Sequence, residues 1–516
     1  MKAPRAGWRQ CCRRSLAFDD RGDPAILPRS ILPSAIMSAE AIPPTSGANE
    51  REIDRLFALQ KANRAIVAGS GPAARREKIR RLHDAVLSRR SQIHEALFAD
   101  MHKPSPEVDL TEIYAVLVEA RHAMRHLASW MRPRRVRTPL AFLGSSSRIH
   151  YEPKGLALII APWNFPLNLT LGPLVSAVAA GNCVIVKPSE MTPATTAIIG
   201  EIISSVFSEN EVAVVEGDAV VSQALLRRPF DHIFFTGSPA IGKVVMKAAA
   251  DHLSSVTLEL GGKCPVVIDK SANLREAARK IAWGKFLNNG QTCIAPDYLL
   301  VDRKIEESFT EQLSIAVDEL FGSPEQVAES ESYGRVVNER HHQRLGRLLD
   351  DAVASGASIL RGGKRESAEK FFPPTIVGDV APQSAMMREE IFGPLLPMVP
   401  YSDLDDALRV INEKDKPLAL YIFSSDEAVI DRVLRSTSAG GTMVNDVAVH
   451  FFQTNLPFGG VGVSGFGKSH GRFGFEAFSN ARGVVRQRSR FSGIQLMYPP
   501  YGKLARKLID MTIRYF

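Results

Sequence analysis

The sequence predicts an α/β protein built on a doubly wound parallel sheet. Apolar strand patterns alternate with helical patterns after about residue 155, which is typical of parallel strands joined by helical crossovers. The first series contains four predicted strands, at Gly155–Ile160, Asn182–Val186, Val212–Val215 and His232–Phe235. A second series follows Glu259, with strands at Pro265–Ile268 and Leu299–Val301. Two α/β units joined near residue 260 would place a ligand-binding cleft between them.

Helical patterns account for most of the remaining chain. From about Ile53 to Arg132, apolar residues recur three and four positions apart among many charges, which predicts a run of helices. Further helices are predicted near residues 167–180, 193–207, 220–228, 274–287, 304–320 and 337–355.

Composition excludes several classes of protein. The 516 residues are 45% hydrophobic and 23% charged, as in folded globular proteins, and no apolar run is long enough to span a membrane. The net charge of +8 is concentrated at the ends: residues 1–36 carry +4 and residues 484–516 carry +6, which leaves −2 for the body. The basic balance therefore gives no support to a nucleic-acid-binding core.

The first 50 residues have no sustained period and carry scattered Pro, Gly, Ser and Arg, so we expect a disordered extension. They lack the compact apolar stretch of a secretory signal, and Met37 is an alternative start. An organellar presequence stays open, although Asp19, Asp20 and Asp23 oppose it. Five cysteines without regular spacing favour a reducing compartment, for which we expect the cytoplasm.

Cys293 is the candidate nucleophile. It lies in the polar, glycine-containing stretch Asn288–Pro296, 34 positions after Glu259, and no metal-ligand spacing surrounds it. A lone cysteine is more often a small buried hydrophobe. The other four cysteines fit that simpler interpretation or lie in the arginine-rich leader: Cys183, Cys264, Cys11 and Cys12.

Asn164 is a candidate oxyanion donor. It stands between two aromatic residues and two prolines in Pro162–Pro166, directly after the first predicted strand. An Asn side-chain amide can donate a hydrogen bond to a developing negative charge, although Asn is also a common turn residue.

Two strand ends suggest a dinucleotide site. Gly237 and Ser238 join a strand to a helix, and backbone amides at a helix start can hold phosphate oxygens. Lys187 and Glu190 follow another strand and could hold ribose hydroxyls. Taken alone, a plain strand-to-helix turn explains Gly237 and Ser238 better, and a solvated ion pair explains Lys187 and Glu190 equally well.

Seven motifs together resemble the aldehyde dehydrogenase family over about residues 55–500. They are Pro162–Pro166, Lys187–Glu190, Phe235–Ser238, Leu258–Lys263, Gly290–Cys293, Glu390–Pro394 and Pro457–Gly460. The short segment before the first strand, Ala295–Tyr298 after the cysteine and Tyr498–Tyr501 near the end are similar to its class 3 branch, most of all to the bacterial coniferyl aldehyde dehydrogenases.

The resemblance implies the aldehyde dehydrogenase fold. A Rossmann-like cofactor domain would comprise residues 51–134 and 152–259, and an α/β catalytic domain residues 260–455. A small β oligomerisation segment would comprise 135–151 and 480–493, and the C-terminal tail 494–516. Strands near Arg148–Lys154 and Gly483–Gln487 would then pair two subunits in a homodimer.

The resemblance also implies roles for the catalytic candidates. Cys293 would attack the aldehyde carbon as a thiolate, and the oxyanion would be held by the Asn164 amide and the Cys293 backbone N–H. Hydride transfer to a nicotinamide would leave a thioester. Glu259 would activate the water that hydrolyses this thioester to a carboxylic acid.

The remaining implied roles concern binding. The cofactor residues would be Gly237 and Ser238 at the pyrophosphate, Lys187 and Glu190 at the adenine ribose, Glu390 at the nicotinamide ribose and Phe392 near the nicotinamide. Phe458 would form an aromatic wall of the substrate pocket, although core packing explains Phe392 and Phe458 as well. NAD is the expected cofactor, because Glu190 would repel a ribose 2′-phosphate, and NADP stays an alternative. No metal site is expected.

Substrate and rival functions stay open at this stage. The resemblance favours a hydrophobic or aromatic aldehyde, with coniferyl aldehyde as one candidate. A CoA-acylating dehydrogenase would use the same cysteine, but Glu259 opposes it, and a non-catalytic use of the scaffold is opposed by the intact motifs. The tail from Gly502 to Phe516 is too short and too charged to span a membrane. Its one-sided apolar pattern favours packing on its own domain or a partner over contact with a membrane surface.

Overall fold

The computed structural model describes residues 50–139, 142, 144–488, 490 and 492–515. Except for Glu50, the predicted N-terminal extension lies outside the described residues. Within the described ranges, no helix has both the length and the apolar content needed to cross a membrane.

The chain alternates helices and strands over most of its length. The helices are α1 Glu50–Ala68, α2 Pro72–Ser88, α3 Arg90–Met101, α4 Ser105–Val108, α5 Tyr114–Trp130, α6 Asn168–Ala180, α7 Pro193–Val206, α8 Ala219–Leu226, α9 Pro239–His252, α10 Leu274–Phe286, α11 Glu306–Phe321, α12 Glu339–Ala354, α13 Ala385–Arg388, α14 Leu404–Asn412, α15 Glu427–Ser436, α16 Gly471–Ala477 and α17 Lys503–Tyr515. The strands are β1 Arg134–Val136, β2 Ser145–Pro153, β3 Leu156–Ile160, β4 Cys183–Lys187, β5 Val212–Val214, β6 His232–Gly237, β7 Ser255–Leu260, β8 Pro265–Ile268, β9 Tyr298–Asp302, β10 Ser358–Arg361, β11 Thr375–Gly378, β12 Leu395–Tyr401, β13 Ala419–Phe423, β14 Gly441–Val444, β15 Gly465–Phe466 and β16 Ser479–Gln487. The predicted strands and helices are confirmed to within one or two residues at most of their ends.

The first sheet has the order β15-β7-β6-β3-β4-β5, and all its strands are parallel except β15. Both faces are covered, which explains why its strands are continuous apolar runs. Ala157 and Ile159 point into a core shared with α2, α5, α6 and α7, whereas Leu156 and Leu158 point into the core beneath α1, α8 and α9. The antiparallel edge strand β15, which comes from a distant part of the chain, was not predicted.

The second sheet has the order β10-β11-β12-β9-β8-β13-β14, with only β10 antiparallel. Its strands are also buried on both faces: Val266 and Ile268 belong to one core cluster and Val267 to another. The two sheets therefore each contribute carboxyl strand ends followed by loops, the usual position of ligand sites in α/β proteins.

A third, antiparallel sheet has the order β1-β2-β16. The two segments predicted to form oligomerisation strands pair with each other, with Arg148 opposite Val484. Beyond β16, the described part of the chain supplies no further strand to this sheet. The assignment of these segments to cofactor, catalytic and oligomerisation domains stays a prediction.

Candidate active site

A strained turn presents Cys293. Helix α10 ends at Phe286, and Asn288 and Asn289 then adopt left-handed backbone angles, with φ of 52° and 54°. The Asn288 side chain holds this turn by donating to the backbone oxygen of Asn164 at 2.8 Å. Cys293 itself is partly exposed between buried neighbours. The loop thus presents one partly exposed thiol, while the residues on either side of it are held in place.

Cys264 lies directly behind this loop. Its Sγ donates to the Cys293 backbone oxygen at 3.5 Å and accepts from the Ala419 backbone N–H at 3.3 Å. Cys183 and Cys264 were predicted to be buried strand residues, and both are buried; Cys183 lies in β4, whereas Cys264 directly precedes β8. The contact with Cys293 was not foreseen, because it joins residues whose proximity depends on the second sheet.

The protein environment disfavours the thiolate of Cys293. Burial, together with the carboxylates of Glu390 and Glu259, raises the pKa of the Cys293 thiol to about 12. Backbone hydrogen bonds from Cys293 and Ile294 oppose this shift but do not reverse it. A nucleophilic role therefore needs either a base or a positive charge beside the sulfur when substrates are bound.

Asn164 is buried next to the thiol loop. Its Nδ2 donates to the backbone oxygen of Gln291 at 3.0 Å, which ties the first sheet to the loop that carries Cys293. A side-chain amide has two N–H donors, so one remains for a further acceptor.

Glu259 lies near the end of β7 and is buried. Its Oε1 accepts from the Ser469 hydroxyl at 2.8 Å, whereas its Oε2 has no hydrogen-bond partner among the described residues. Burial raises the pKa of Glu259 to about 7, despite opposing contributions from Ser469 and Lys468. This carboxyl is therefore set to gain or lose a proton near neutral pH. Neither Ser469 nor Lys468 was predicted.

A cleft of about 870 Å³ lies in front of these groups. Seven of the predicted site residues line it: Cys293, Glu259, Asn164, Gly237, Ser238, Glu390 and Phe392. Lys187 and Glu190 do not line it. They form an ion pair of 2.6 Å at the end of β4. In the sheet, β3 lies between β4 and β6, the strand that ends at Gly237.

One end of the cleft fits a phosphate group. The N-terminus of α9 opens there, and Ser238 caps it by accepting from the Ile241 backbone N–H at 3.4 Å. A Cβ on Gly237 would stand 2.5 Å from the Phe235 ring, so only glycine fits between this ring and the cleft. Backbone N–H groups and the positive end of a helix dipole can hold phosphate oxygens at such a position.

The other end of the cleft carries Glu390 and Phe392. Burial, followed by the charge of Asp297, raises the pKa of Glu390 to about 8. Phe392 has a positive φ of 48° and packs edge-on against Trp163, with ring centroids 5.4 Å apart. Backbone strain of this kind is often found at functional sites.

A second, smaller and mainly apolar cavity of about 50 Å³ reaches the same thiol. It shares Thr236, Glu259 and Cys293 with the cleft. Four phenylalanines line it: Phe234, Phe451, Phe452 and Phe458. Phe458 is buried, with its ring 5.0 Å from that of Phe451.

Glu119 is a cavity residue that the sequence analysis missed. It lies on the buried face of α5, where its Oε1 accepts from the Gly471 backbone N–H at 2.7 Å. Its Oε2 has no described partner, and burial raises the pKa of Glu119 to about 7. A carboxylate in the apolar stripe of a helix was the available signal.

Among the described residues, no group of three or more His, Cys, Asp or Glu side chains is placed to hold a metal ion.

Comparisons with known proteins agree with this geometry. The model of the Aldehyde dehydrogenase family matches residues 35–484. A Staphylococcus aureus protein named 4,4'-diaponeurosporen-aldehyde dehydrogenase is 42% identical over 428 residues, covering 83% of this chain and 92% of its own. A Pseudomonas aeruginosa protein named "Probable coniferyl aldehyde dehydrogenase" is 41% identical over 461 residues, covering 89% and 95%.

Solved structures give the same result. The substrate-bound state of Staphylococcus aureus AldH superposes with a TM-score of 0.85 at 40% identity, over 89% of this chain and 99% of that one. PnpE in complex with nicotinamide adenine dinucleotide superposes with a TM-score of 0.79 at 26% identity, over 86% and 92%.

Proposed function

Because this chain belongs to the aldehyde dehydrogenase family, whose members oxidise aldehydes to carboxylic acids with a nicotinamide cofactor, we propose that Cys293, Glu259 and Asn164 perform this reaction here. The observation that carries the proposal is the meeting of the wide cleft and the phenylalanine-lined cavity at Cys293 and Glu259. A cofactor in the cleft and an aldehyde in the cavity would both reach the same sulfur.

Cys293 is proposed as the nucleophile. After the thiol has lost its proton, the thiolate sulfur adds to the aldehyde carbon, and the carbonyl oxygen gains the negative charge. The unused Asn164 N–H and the Cys293 backbone N–H are the proposed donors to that oxygen. A bound, oxidised nicotinamide would supply the hydride acceptor and a positive charge that favours the thiolate.

Glu259 is proposed as the base in hydrolysis. Once the sulfur carries an acyl group, a water must attack the thioester carbon and lose a proton. Glu259 Oε2 is buried and unpartnered, so it is free to accept this proton, with Oε1 held by Ser469. This role requires the carboxylate form, and the pKa of about 7 makes that form available at neutral pH.

The cofactor is proposed to lie along the cleft. Gly237 and Ser238 would hold the pyrophosphate, Glu390 the nicotinamide ribose, and Phe392 would pack against the nicotinamide. Lys187 and Glu190 would hold the adenine ribose beyond the cleft. We propose NAD in preference to NADP, since the Glu190 carboxylate would repel a 2′-phosphate.

The substrate is proposed to be a hydrophobic or aromatic aldehyde. The phenylalanine rings that surround the inner cavity offer apolar and edge-to-face contacts to an aromatic ring, with Phe458 in the wall. Coniferyl aldehyde is one candidate, in line with the name of the Pseudomonas aeruginosa relative.

The test is a steady-state survey of NADH and NADPH formation with aromatic and long-chain aldehydes, coupled to detection of the product. Formation of the free acid at the same rate with and without CoA would support hydrolysis. CoA-dependent turnover would favour the acylating alternative. Absence of aldehyde-dependent reduction of both cofactors would refute the proposed function.

The proposal also includes assembly and location. We propose a homodimer that uses the exposed strand β16, and a cytoplasmic location, given that the three cysteines in the described ranges are free thiols. Helix α17 packs on the turn at Gly493–Met497, where the Thr512 hydroxyl contacts the Met497 sulfur at 3.8 Å. Beyond this contact Leu504, Met511 and Tyr515 are largely exposed, and we propose that they meet a partner subunit in preference to a membrane surface.

A further inference from the structure

We propose that Ser469 is a positioning residue for Glu259, and that His470 holds the Ser469 hydroxyl in the orientation this task requires. The inference rests on the proposed role of Glu259 as the base in thioester hydrolysis. It adds two supporting residues to the site, both from the glycine-rich segment that precedes α16.

The Ser469 hydroxyl has one proton and three candidate acceptors: Glu259 Oε1, the Phe458 backbone oxygen and, in one tautomer, His470 Nδ1. Glu259 Oε1 lies 2.8 Å from Ser469 Oγ, whereas the Phe458 backbone oxygen lies 3.4 Å away. The shorter distance and the charge of a carboxylate both favour donation to Glu259. The serine oxygen then has its lone pairs left to accept a hydrogen bond.

His470 supplies the matching donor. Its Nδ1 lies 3.0 Å from Ser469 Oγ. Burial lowers the pKa of His470 to about 3, so the ring is neutral and carries one proton. With Ser469 donating to Glu259, the consistent tautomer has that proton on Nδ1, which gives a directed chain from His470 through Ser469 to Glu259.

Contacts with neighbouring residues hold both Ser469 and His470 in place. The backbones of Ser469 and Phe458 exchange two hydrogen bonds, of 2.7 and 3.2 Å. The His470 ring lies against Phe451 and Phe458, with centroids 4.5 and 4.8 Å away. Since these contacts do not involve the Ser469 hydroxyl, removing that hydroxyl should leave the segment in place.

The hydrogen-bond chain from His470 through Ser469 gives the two carboxylate oxygens of Glu259 different roles. Oε1 is held by Ser469, and Oε2 is left without a described partner to face a water. The other ionisable groups that face Glu259 are Lys468, whose ammonium is bound to the backbone oxygens of Gly459 and Gly460, and Cys293. Loss of the Ser469 donor would therefore raise the pKa of Glu259 and loosen its orientation.

The test compares Ser469→Ala, Ser469→Thr, His470→Phe and His470→Asn with the unmodified protein, using benzaldehyde and NAD from pH 5 to 9. Ser469→Ala should lower kcat about tenfold, as expected for a misplaced general base, and change KM less than about threefold. Its kcat profile should shift to higher pH. A pre-steady-state burst of one NADH per active site should persist, because acylation precedes the step that Glu259 assists.

Rescue distinguishes positioning from general structural damage. Thr keeps the hydroxyl and Asn places an N–H close to the position of Nδ1, so Ser469→Thr and His470→Asn should recover most of kcat and of the pH profile. His470→Phe should remain impaired. His450→Phe alters a partly buried ring that packs near Phe458 but takes no part in the hydrogen-bond chain, so it is the matched control and should leave the pH profile unchanged.

An unchanged kcat and pH profile in Ser469→Ala, in a protein that does oxidise benzaldehyde, would overturn the inference and leave the proposed function intact. Equal impairment of Ser469→Thr and Ser469→Ala would also overturn it. Failure of the unmodified protein to reduce NAD or NADP with any aldehyde would instead refute the proposed function itself.

Discussion

The Cα of Gly261 lies against the carboxylate of Glu390, so closely that a Cβ on residue 261 would overlap both carboxylate oxygens. The two residues belong to the cleft and come from different parts of the chain, one directly after β7 and the other just before β12. The position of the Glu390 carboxylate therefore depends on the absence of a side chain at residue 261.

Gly261→Ala should displace Glu390 and weaken cofactor binding. We expect KM for NAD to rise about tenfold, which corresponds to about 1.4 kcal/mol, with a smaller change in KM for the aldehyde. Steady-state kinetics with each substrate varied in turn would measure the difference. Gly71→Ala, at a position with open space around the Cβ, is the control. Equal effects on both KM values would contradict the assignment of Glu390 to the cofactor.

Cys293→Ser should lower aldehyde oxidation by about 10³-fold or more, because a hydroxyl is a far weaker nucleophile and acyl leaving group than a thiolate. NAD binding, measured by calorimetry or fluorescence, should be nearly unchanged. Cys183→Ala removes a buried thiol of β4 and controls for loss of a cysteine without loss of the site. Retention of oxidation in the serine variant would show that another group is the nucleophile.

Strands β3 to β6, β8 and β9 were predictable because their signal is local, whereas β7 and β10 to β14 were not predicted. Strands such as Leu156–Ile160 are buried on both faces, so their continuous apolar runs can be recognised without knowing their neighbours. Cys293 and Glu259 were found through the motifs around them. Ser469 gave no such signal, since it lies 210 positions from Glu259 and meets it only after β15 pairs with β7.

Two other misses have the same physical origin. Glu119 accepts a hydrogen bond from Gly471, which lies 352 positions away in the sequence. Cys264 contacts the Cys293 carbonyl only because the second sheet brings the two residues together. Polar contacts between distant segments depend on tertiary structure, whereas periodicity reports on a single element.

Glu190→Gln should shift cofactor preference toward NADP. The substitution removes a negative charge from a partly exposed position beside Lys187 and leaves the ammonium free to meet a phosphate. The ratio of kcat/KM for NADP to that for NAD should rise about fivefold, the equivalent of about 1 kcal/mol. The gain should decrease in high salt, where charge contacts are screened. If the ratio did not change, Glu190 would not be a residue of the ribose site.

Val485→Asp should weaken the proposed homodimer. Val485 is 59% exposed on β16, whose outer edge has no partner strand in the described part of the chain. A carboxylate buried in an interface would cost far more than one in water. Light scattering should give a dimer mass for the unmodified protein and a concentration-dependent lower mass for the variant. Ile66→Asp, at an exposed apolar position on α1, should keep the dimer mass.

Glu119→Gln should change how stability depends on pH. Burial raises the pKa of Glu119 from 4.5 to about 7, so the folded state favours its protonated form. The resulting stabilisation is fully present below pH 4.5 and is lost as pH rises through about 7, by about 1 to 3 kcal/mol in total. A glutamine side chain keeps an oxygen for the Gly471 N–H but never ionises. The Tm of the variant minus the Tm of the unmodified protein should therefore be larger at pH 8 than at pH 5. Glu201→Gln, at an exposed position of α7, should show no such trend. A Tm difference for Glu119→Gln that is the same at both pH values would mean that Glu119 does not titrate in this range.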